Sequence, residues 1–246
     1  MEKMLIEDFL ALVRNRRSIR RFKPDPIPDE YLEKILDAAR WAMSGSNGQP
    51  WEFIVVNDQD TKRKIAEMYK ENSKQIYTIE TSRVDDIKHQ GFIKPPTGIP
   101  GFANAPVFIV VCADPRTYMA TVSIARILDG EGGPKATYLK NVANATFLLH
   151  LAARACGLGA QWASVDDLLE QKLKRLLDVP DQLEIHTIVP IGYPDYDPPA
   201  PYRREAKEIV HYNKYDQSKF RTEEDIIEWL RYLRKRNIGA YHKNLP

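Results

Sequence analysis

This 246-residue chain has few of the features that announce a function through composition alone. It has only two cysteines, and neither has a metal-type or redox-type neighbour. Cys112 lies in the apolar run Val107 to Ala113 and Cys156 near the end of a helical pattern, so both read as reduced core thiols. Two such thiols exclude a disulfide framework. An excess of one charge is also missing: 36 basic against 34 acidic side chains leave a net charge of +2. That balance removes any bulk electrostatic case for nucleic acid or an anionic membrane. No apolar run approaches the ~20 residues of a membrane span. Glu2, Glu7 and Asp8 stand where a secretory leader carries basic and then apolar residues, so a cytoplasmic location is expected. The five histidines, His89, His150, His186, His211 and His242, are never paired at helix-face spacing, and no metal site is expected.

The glycines fail as phosphate loops. Gly130 to Lys135 lacks the Gly-Lys-Ser/Thr ending, and Gly157-Leu158-Gly159-Ala160-Gln161-Trp162 ends a helix where a dinucleotide fingerprint would open one. Gly45-Ser46-Asn47-Gly48 lacks the outer spacing of a nucleophile elbow. A Rossmann domain and a serine hydrolase are therefore not supported.

What is present is a globular composition, 43% hydrophobic and 28% charged, enough for a sizeable core. Leu5, Phe9, Leu12 and Val13 recur at helical spacing, and Leu32, Ile35, Leu36 and Ala39 form a stripe behind Pro28, Asp29 and Glu30. Trp51 to Val56, Val107 to Cys112 and Ile185 to Ile191 read as strands. A helix capped at Asp60 or Thr61 is expected to run to about Asn72, another from Tyr118 to Leu128, and a broadly apolar, central one from Ala136 to Cys156. Gly157 should stop the last in a left-handed conformation. Asp167 to Leu177 reads as a short helix, and Thr222-Glu223-Glu224-Asp225 opens a C-terminal one. Mixed helix and strand predict an α+β layered fold. One domain over residues 1–246 is expected, with a lid excursion at 73–105, or a disordered connector there, where periodicity fails and Pro/Gly pairs punctuate the chain, and an extension at 211–246.

Two segments carry chemistry. Between Arg14 and Lys23 stand six basic side chains with Ser18 among them, a fork-plus-hydroxyl set suited to phosphate. Ser18 and Arg20 share one side of an extended segment. One helix later, Ser44-Gly45-Ser46-Asn47-Gly48-Gln49-Pro50-Trp51 is small, polar and turn-rich. Together they suggest a phosphorylated, planar ligand. A plain solvated charge run is the bland alternative for the first segment.

Arg16-Arg17-Ser18-Ile19-Arg20, Ser44 to Phe53, Gly157-Leu158-Gly159-Ala160, and Ile191-Gly192-Tyr193-Pro194 with Arg203-Arg204 resemble, in order and spacing, the FMN-dependent nitroreductase superfamily over roughly Leu5 to Val210. The resemblance implies a three-layer α+β fold, a central, mostly antiparallel sheet flanked by helices, in an intertwined homodimer with FMN in each of two interface sites. The segment after His211 would embrace the partner subunit. By the same resemblance, Arg16, Arg17 and Ser18 would hold the phosphate and ribityl oxygens, with Arg203, ahead of Arg204, completing the phosphate site. Arg20 would lie at flavin N1 and the C2 carbonyl. Ser44, Gly45, Ser46, Asn47 and Gln49 would come from the other subunit. Trp162, Ala163 and Ser164 would pass N5 and the C4 carbonyl, with either the Ser164 hydroxyl or its backbone N–H donating to N5.

The implied activity is NADH- or NADPH-dependent reduction of a nitroaromatic, quinone or similar conjugated acceptor by a ping-pong route. Reductive dehalogenation or ene reduction on the same scaffold is the enzymatic alternative, and flavin storage without turnover is the non-enzymatic one. Met43 departs from the proline that relatives commonly carry before Ser-Gly. Glu67, Tyr69, Glu71, Tyr77, Glu80 and Lys88 do not align with the Glu, Tyr and Lys by which iodotyrosine deiodinases grip their substrate.

Overall fold

The computed structural model describes residues 6–84, 98–121 and 133–242. In chain order its helices are α1 (Ile6–Asn15), α2 (Asp29–Arg40), α3 (Gln59–Thr81), α4 (Arg116–Thr121), α5 (Gly133–Ala155), α6 (Asp167–Leu177), α7 (Ala206–Ile209) and α8 (Glu223–His242). Its strands are β1 (Trp51–Val56), β2 (Val107–Ala113), β3 (Gly159–Ala160), β4 (Ala163–Ser164) and β5 (Glu184–Gly192). The described residues fall into two compact units, one within 1–72 and 98–197, the other within 73–97 and 198–246.

The first unit is built around β2, whose seven residues are all buried. A strand apolar on both faces must be covered on both. Val107, Ile109, Val111 and Ala113 point to one face, where they pack with Ile35 and Ala39 of α2 and with Tyr138, Val142, Leu149 and Ala153 of α5. Phe108, Val110 and Cys112 point to the other, against Ile65 of α3 and Leu169 and Leu173 of α6. Period-two alternation along one strand thus creates three layers. Burial pushes the Cys112 thiol up to about 12, which leaves it an inert core group.

The sheet runs β1-β2-β5-β3, with β4 also on β5, and every strand pair is antiparallel. A bulge beside Val111 and Cys112 slips β5 by one residue, so that Ile185 and Ile188, three apart, share a core face. β3 and β4 are two fragments of one ladder, opposite Gly192–Ile191 and Ile188–Thr187 respectively. The break between them has a chemical cause. Pro190 accepts a bond from Gln161 N at 3.2 Å through its carbonyl, but has no N–H to return one.

Most helices lie where periodicity placed them, and the differences have local causes. Asp58, ahead of the expected Asp60 or Thr61, caps α3: its carboxylate accepts from Thr61 N at 2.8 Å and Thr61 Oγ1 at 2.7 Å. α3 continues beyond Asn72 to Thr81. There Thr78 and Thr81 hydroxyls donate to carbonyls of the preceding turn, which conceals them from a propensity reading. The helix expected over 118–128 falls partly outside the described residues, and so does Lys88. Gly157 has φ +75 and closes α5 as expected. No helix among the described residues is long and apolar enough to cross a membrane.

The second unit contains α7 and α8. Thr222 and Asp225 bond reciprocally at the start of α8, with Thr222 N donating to the Asp225 carboxylate at 2.8 Å and Asp225 N to Thr222 Oγ1 at 3.2 Å. Tyr202, Trp229 and Tyr232 form an aromatic cluster with ring separations of 5.5 to 5.8 Å.

Lys62 is the least expected core residue, 2% exposed. Its ammonium donates to the carbonyls of Ala105 at 3.0 Å and Pro106 at 2.9 Å, tying α3 to the entrance of β2. Burial holds its pKa below the ordinary lysine value. Lys62→Met keeps the stem and strands both carbonyls, so a loss of about 2 kcal/mol in unfolding free energy is expected by urea denaturation. An unchanged midpoint and slope would show that water replaces the ammonium.

Candidate functional site

Segment 16–23 is extended and docked by its backbone. Ser18 forms a parallel bridge with Ala160, and Ile19 N donates to Ala160 O at 3.0 Å. Phe22 bridges Pro194, Lys23 N donates to Tyr193 O at 2.9 Å, and Asp195 N donates to Arg21 O at 3.1 Å. Ile19 and Phe22 are 4% and 2% exposed, so the segment is anchored by its apolar members while its cations stay at the surface. Gly159 permits the approach: a Cβ there would lie 2.8 Å from Ile19 Cβ, closer than two carbons can pack. Arg20 is exposed, its N–H donates to the Tyr196 hydroxyl at 3.3 Å, and the Arg21 guanidinium sits 4.8 Å above the Tyr196 ring.

These contacts bring three of the sequence blocks together: Arg16 to Arg20, Gly157 to Ala160, and Ile191 to Pro194. Between them and the last turns of α5 lies a cavity of about 530 Å³. Arg16, Arg17, Lys23 and Arg154 line it, with Asp195 and Asp197 as its two acids. Arg17 also donates to the carbonyls of Arg14 and Arg16, the latter at 3.0 Å, which fixes the guanidinium against the end of α1.

His150 reaches the same cavity from α5 and is 5% exposed. Among the described residues, neither of its ring nitrogens has a hydrogen-bond partner. Its ring stacks on Trp162 at 6.2 Å and 12°. Burial first, and the Arg16 charge second, push its pKa down to about 4. The imidazole is therefore neutral at physiological pH, with one donor and one acceptor. His150, Arg154, Lys23 and Tyr196 were not singled out by the sequence. A signal existed for the first two: a polar residue in the apolar run of α5, followed four residues later by an arginine on the same side.

The Ser44 block is organised differently. Ser46, Asn47 and Gln49 have φ of 53, 53 and 42, while the Gly48 between them is right-handed at φ -68. Left-handed backbone at non-glycine residues costs about 1–2 kcal/mol each. Three such residues in one loop need external support. The Ser44 hydroxyl accepts from Gln49 N at 3.1 Å, Gly45 N donates to Asn141 Oδ1 at 3.2 Å, and Asn144 Nδ2 donates to Met43 O at 3.1 Å. The loop is thus strained and held on α5, with Trp41 and Met43 exposed beside it.

Trp162, expected near the ligand ring, is exposed next to Gln161, which faces Pro190 in the break between β3 and β4. Ala163 is buried and Ser164 exposed on β4, where Thr187 Oγ1 donates to Ala163 O at 2.9 Å. Arg203 and Arg204 belong to the second unit. Arg203 donates to Tyr202 O at 2.9 Å, and Arg204 donates to Glu208 O at 3.0 Å and pairs with its carboxylate at 3.6 Å.

The nitroreductase family profile matches residues 13–193, and the chain belongs to the nitroreductase family. A protein of Archaeoglobus fulgidus, provisionally named an NADH dehydrogenase/NAD(P)H nitroreductase, is 31% identical over 191 residues, 77% of this chain and 87% of that one. An iodotyrosine deiodinase of Thermotoga neapolitana is 30% identical over 207 residues, 83% of this chain and 97% of that one. Among solved structures, oxidised iodotyrosine deiodinase bound to FMN and 3-iodo-L-tyrosine matches with a TM-score of 0.65 at 27% identity, covering 84% of this chain and 99% of the other. The α+β fold with an antiparallel sheet between helices is that of the family.

The depressed pKa of His150 makes stability depend on pH with a definite sign. The unfolded chain titrates this group near its ordinary 6.5 and the folded chain near about 4, so its contribution is complete above 6.5 and is lost as pH falls toward 4. At full size that is about 3 kcal/mol in flavin-free protein. Denaturant titrations between pH 4.5 and 7 should show the slope in the wild type and its loss in His150→Phe. An equal slope in both rules out this source.

Proposed function

We propose that this nitroreductase-family oxidoreductase binds FMN, draws electrons from NADH or NADPH, and reduces a nitroaromatic, a quinone or a similar small conjugated acceptor. The observation that carries the reading is the convergence of segment 16–23 with the Gly157–Ala160 turn around a cationic cavity inside the family-matched region. The residues suit the group. The guanidiniums of Arg16 and Arg17, which line the cavity, and the Ser18 hydroxyl of the same segment are donors that a phosphate monoester and a polyol would accept from.

When bound, FMN supplies a ring that takes a hydride from nicotinamide and passes electrons on, a chemistry that the side chains themselves lack. The chain's part is to bind, orient and tune. Arg16, Arg17 and Ser18 hold the phosphate and ribityl oxygens. Arg20 would supply a cation for N1 and the C2 carbonyl, where it would favour negative charge. Ser164 would serve as the hydroxyl donor to N5, with Trp162 and Ala163 along the same edge. Ser44 to Gln49 contribute from a second copy of the chain, so the functional unit is a homodimer. Nicotinamide and acceptor would occupy one place in turn, the ping-pong order.

Reductive dehalogenation is the second reading, favoured by the two deiodinase likenesses. Against it, Tyr69 is committed to packing on Phe102 at 5.1 Å, and Glu67 and Glu80 are paired with Arg63 and Arg83.

Anaerobic oxidation of NADH and NADPH in the presence of a nitroaromatic, a quinone or 3-iodo-L-tyrosine separates these readings. Parallel double-reciprocal lines with the first two acceptors are expected. Iodide release as the faster reaction would favour the second reading, and tight flavin without acceptor-dependent turnover would reduce the chain to a binding protein. Light scattering should give twice the chain mass. Ser164→Ala should move the flavin midpoint potential by about 30 mV or more, a tenfold change for a two-electron couple; an unmoved potential assigns N5 to a backbone donor.

A further inference from the structure

β4 is two residues long, too short to hold its own place, so whatever fixes Ser164 must come from its flanks. On the N-terminal side Ala163 is buried in the core, and its carbonyl accepts from Thr187 Oγ1 at 2.9 Å. On the C-terminal side Val165 packs against the same core and Asp166 turns the chain into α6. The two oxygens of the Asp166 carboxylate have separate partners. Oδ1 accepts from Leu169 N at 3.0 Å and caps α6, while Oδ2 accepts from Asn72 Nδ2 of α3 at 2.6 Å. All of these residues belong to the first unit.

Asn72 sits where local rules disfavour it. Asparagine is a poor helix former, and at 5% exposure an apolar side chain would pack without an amide to satisfy. The cap does not need it either: one carboxylate oxygen completes the N-cap, and Asp166, an exposed residue, could take water at the other. What the buried amide adds is direction. With a donor on each oxygen the carboxylate is fixed from two sides, and the backbone from Ala163 to Asp166 is held between Thr187 and Asn72. This face of α3 also lies beside the other residue that the flavin reading puts at the ring edge. Tyr69, one turn before Asn72, has its hydroxyl pKa raised by burial, lowered by the Arg20 cation and raised by the Asp166 carboxylate, so both charges lie close to it.

We propose that Asn72 is a positioning residue for the flavin edge: through Asp166 it holds the Ala163–Ser164 strand so that the Ser164 donor keeps its aim at N5. The assignment rests on the flavin reading above and adds to it a residue of α3 that acts only through another side chain. Aim matters because a hydrogen bond weakens steeply as its angle and length leave the optimum, and a site is only as exact as the groups that brace it. A Ser164 free to drift would bond the oxidised and reduced rings in a different ratio, and the reduction potential reports that ratio directly.

The test separates the tie from the cap. Asn72→Ala removes the amide and leaves the cap, whereas Asp166→Ser keeps a capping hydroxyl and removes the oxygen that Asn72 bonds. In full-length, FMN-loaded protein each variant should shift the two-electron reduction equilibrium of the flavin about threefold or more, equal to about 14 mV, and both in the same direction. The double variant should shift it no further than the larger single one, because the two changes break one connection. Additive shifts would mean that the side chains act separately and would overturn the assignment. So would urea midpoints that fall while the potential stays put, the behaviour of a tie that only joins α3 to α6. Should Asn72→Ala fail to fold, Asp166→Ser decides by the same potential, an unmoved value again overturning the assignment. Wild-type protein that takes up no FMN removes the functional reading and this inference with it, whereas FMN bound at an unmoved potential in both variants removes this inference alone.

Discussion

The backbone docking of segment 16–23 is the interaction on which the rest of the first unit's site depends. Two groups of main-chain bonds, to Ala160 and to Tyr193 and Asp195, turn a charge-rich segment into a pseudo-strand at the sheet margin. Without them the arginines would be a solvated run, worth little to stability and nothing to recognition. With them Ile19 and Phe22 enter the core, and Arg16 and Arg17 acquire fixed origins. The absence of a side chain at Gly159 is part of the same interaction, because it decides how near the segment comes.

Electrostatics in this chain are local. A net charge of +2 on 246 residues hides a cavity lined by four cations, two acids and a neutral imidazole, and a lysine buried in the core whose ammonium bonds two carbonyls. Both are held by geometry. The Lys62 ammonium is matched by oriented carbonyl dipoles, while His150 avoids its charge by giving up its proton. The two show different answers to one constraint, that a low-dielectric interior tolerates charge only where donors and acceptors are already in place.

Much of the layered fold was legible from periodicity. β2 read as a fully apolar run and is an inner strand; α2 appeared from its stripe and end signals and α6 as a short helix; the glycine stop after α5 followed from its need for positive φ. The unread parts involve long-range partners. β3 and β4 are two residues each, too short for any pattern, and exist because β5 offers them a ladder. The far end of α3 is held by hydroxyl-to-carbonyl bonds that propensity counts against a helix. At the site, Arg16 to Arg20 stood out because several cations and a hydroxyl crowd together, whereas His150 did not, since one histidine in an apolar helix reads as a satisfied core residue. Only the fold reveals that it lacks a partner. The positive φ values at Ser46, Asn47 and Gln49 were hidden for the opposite reason: Gly45 and Gly48 drew attention as the flexible positions, and the strain sits on their neighbours.

Pro190 has a consequence beyond the gap it leaves. An uninterrupted strand at this margin would offer a regular row of donors and acceptors to any extended chain it met, the geometry by which sheets grow into aggregates. Here the row is cut into two dipeptides, and Ala160 already pairs with Ser18. The proline that breaks the ladder therefore also blunts this edge, so the margin that docks segment 16–23 is poorly suited to templating another copy of itself.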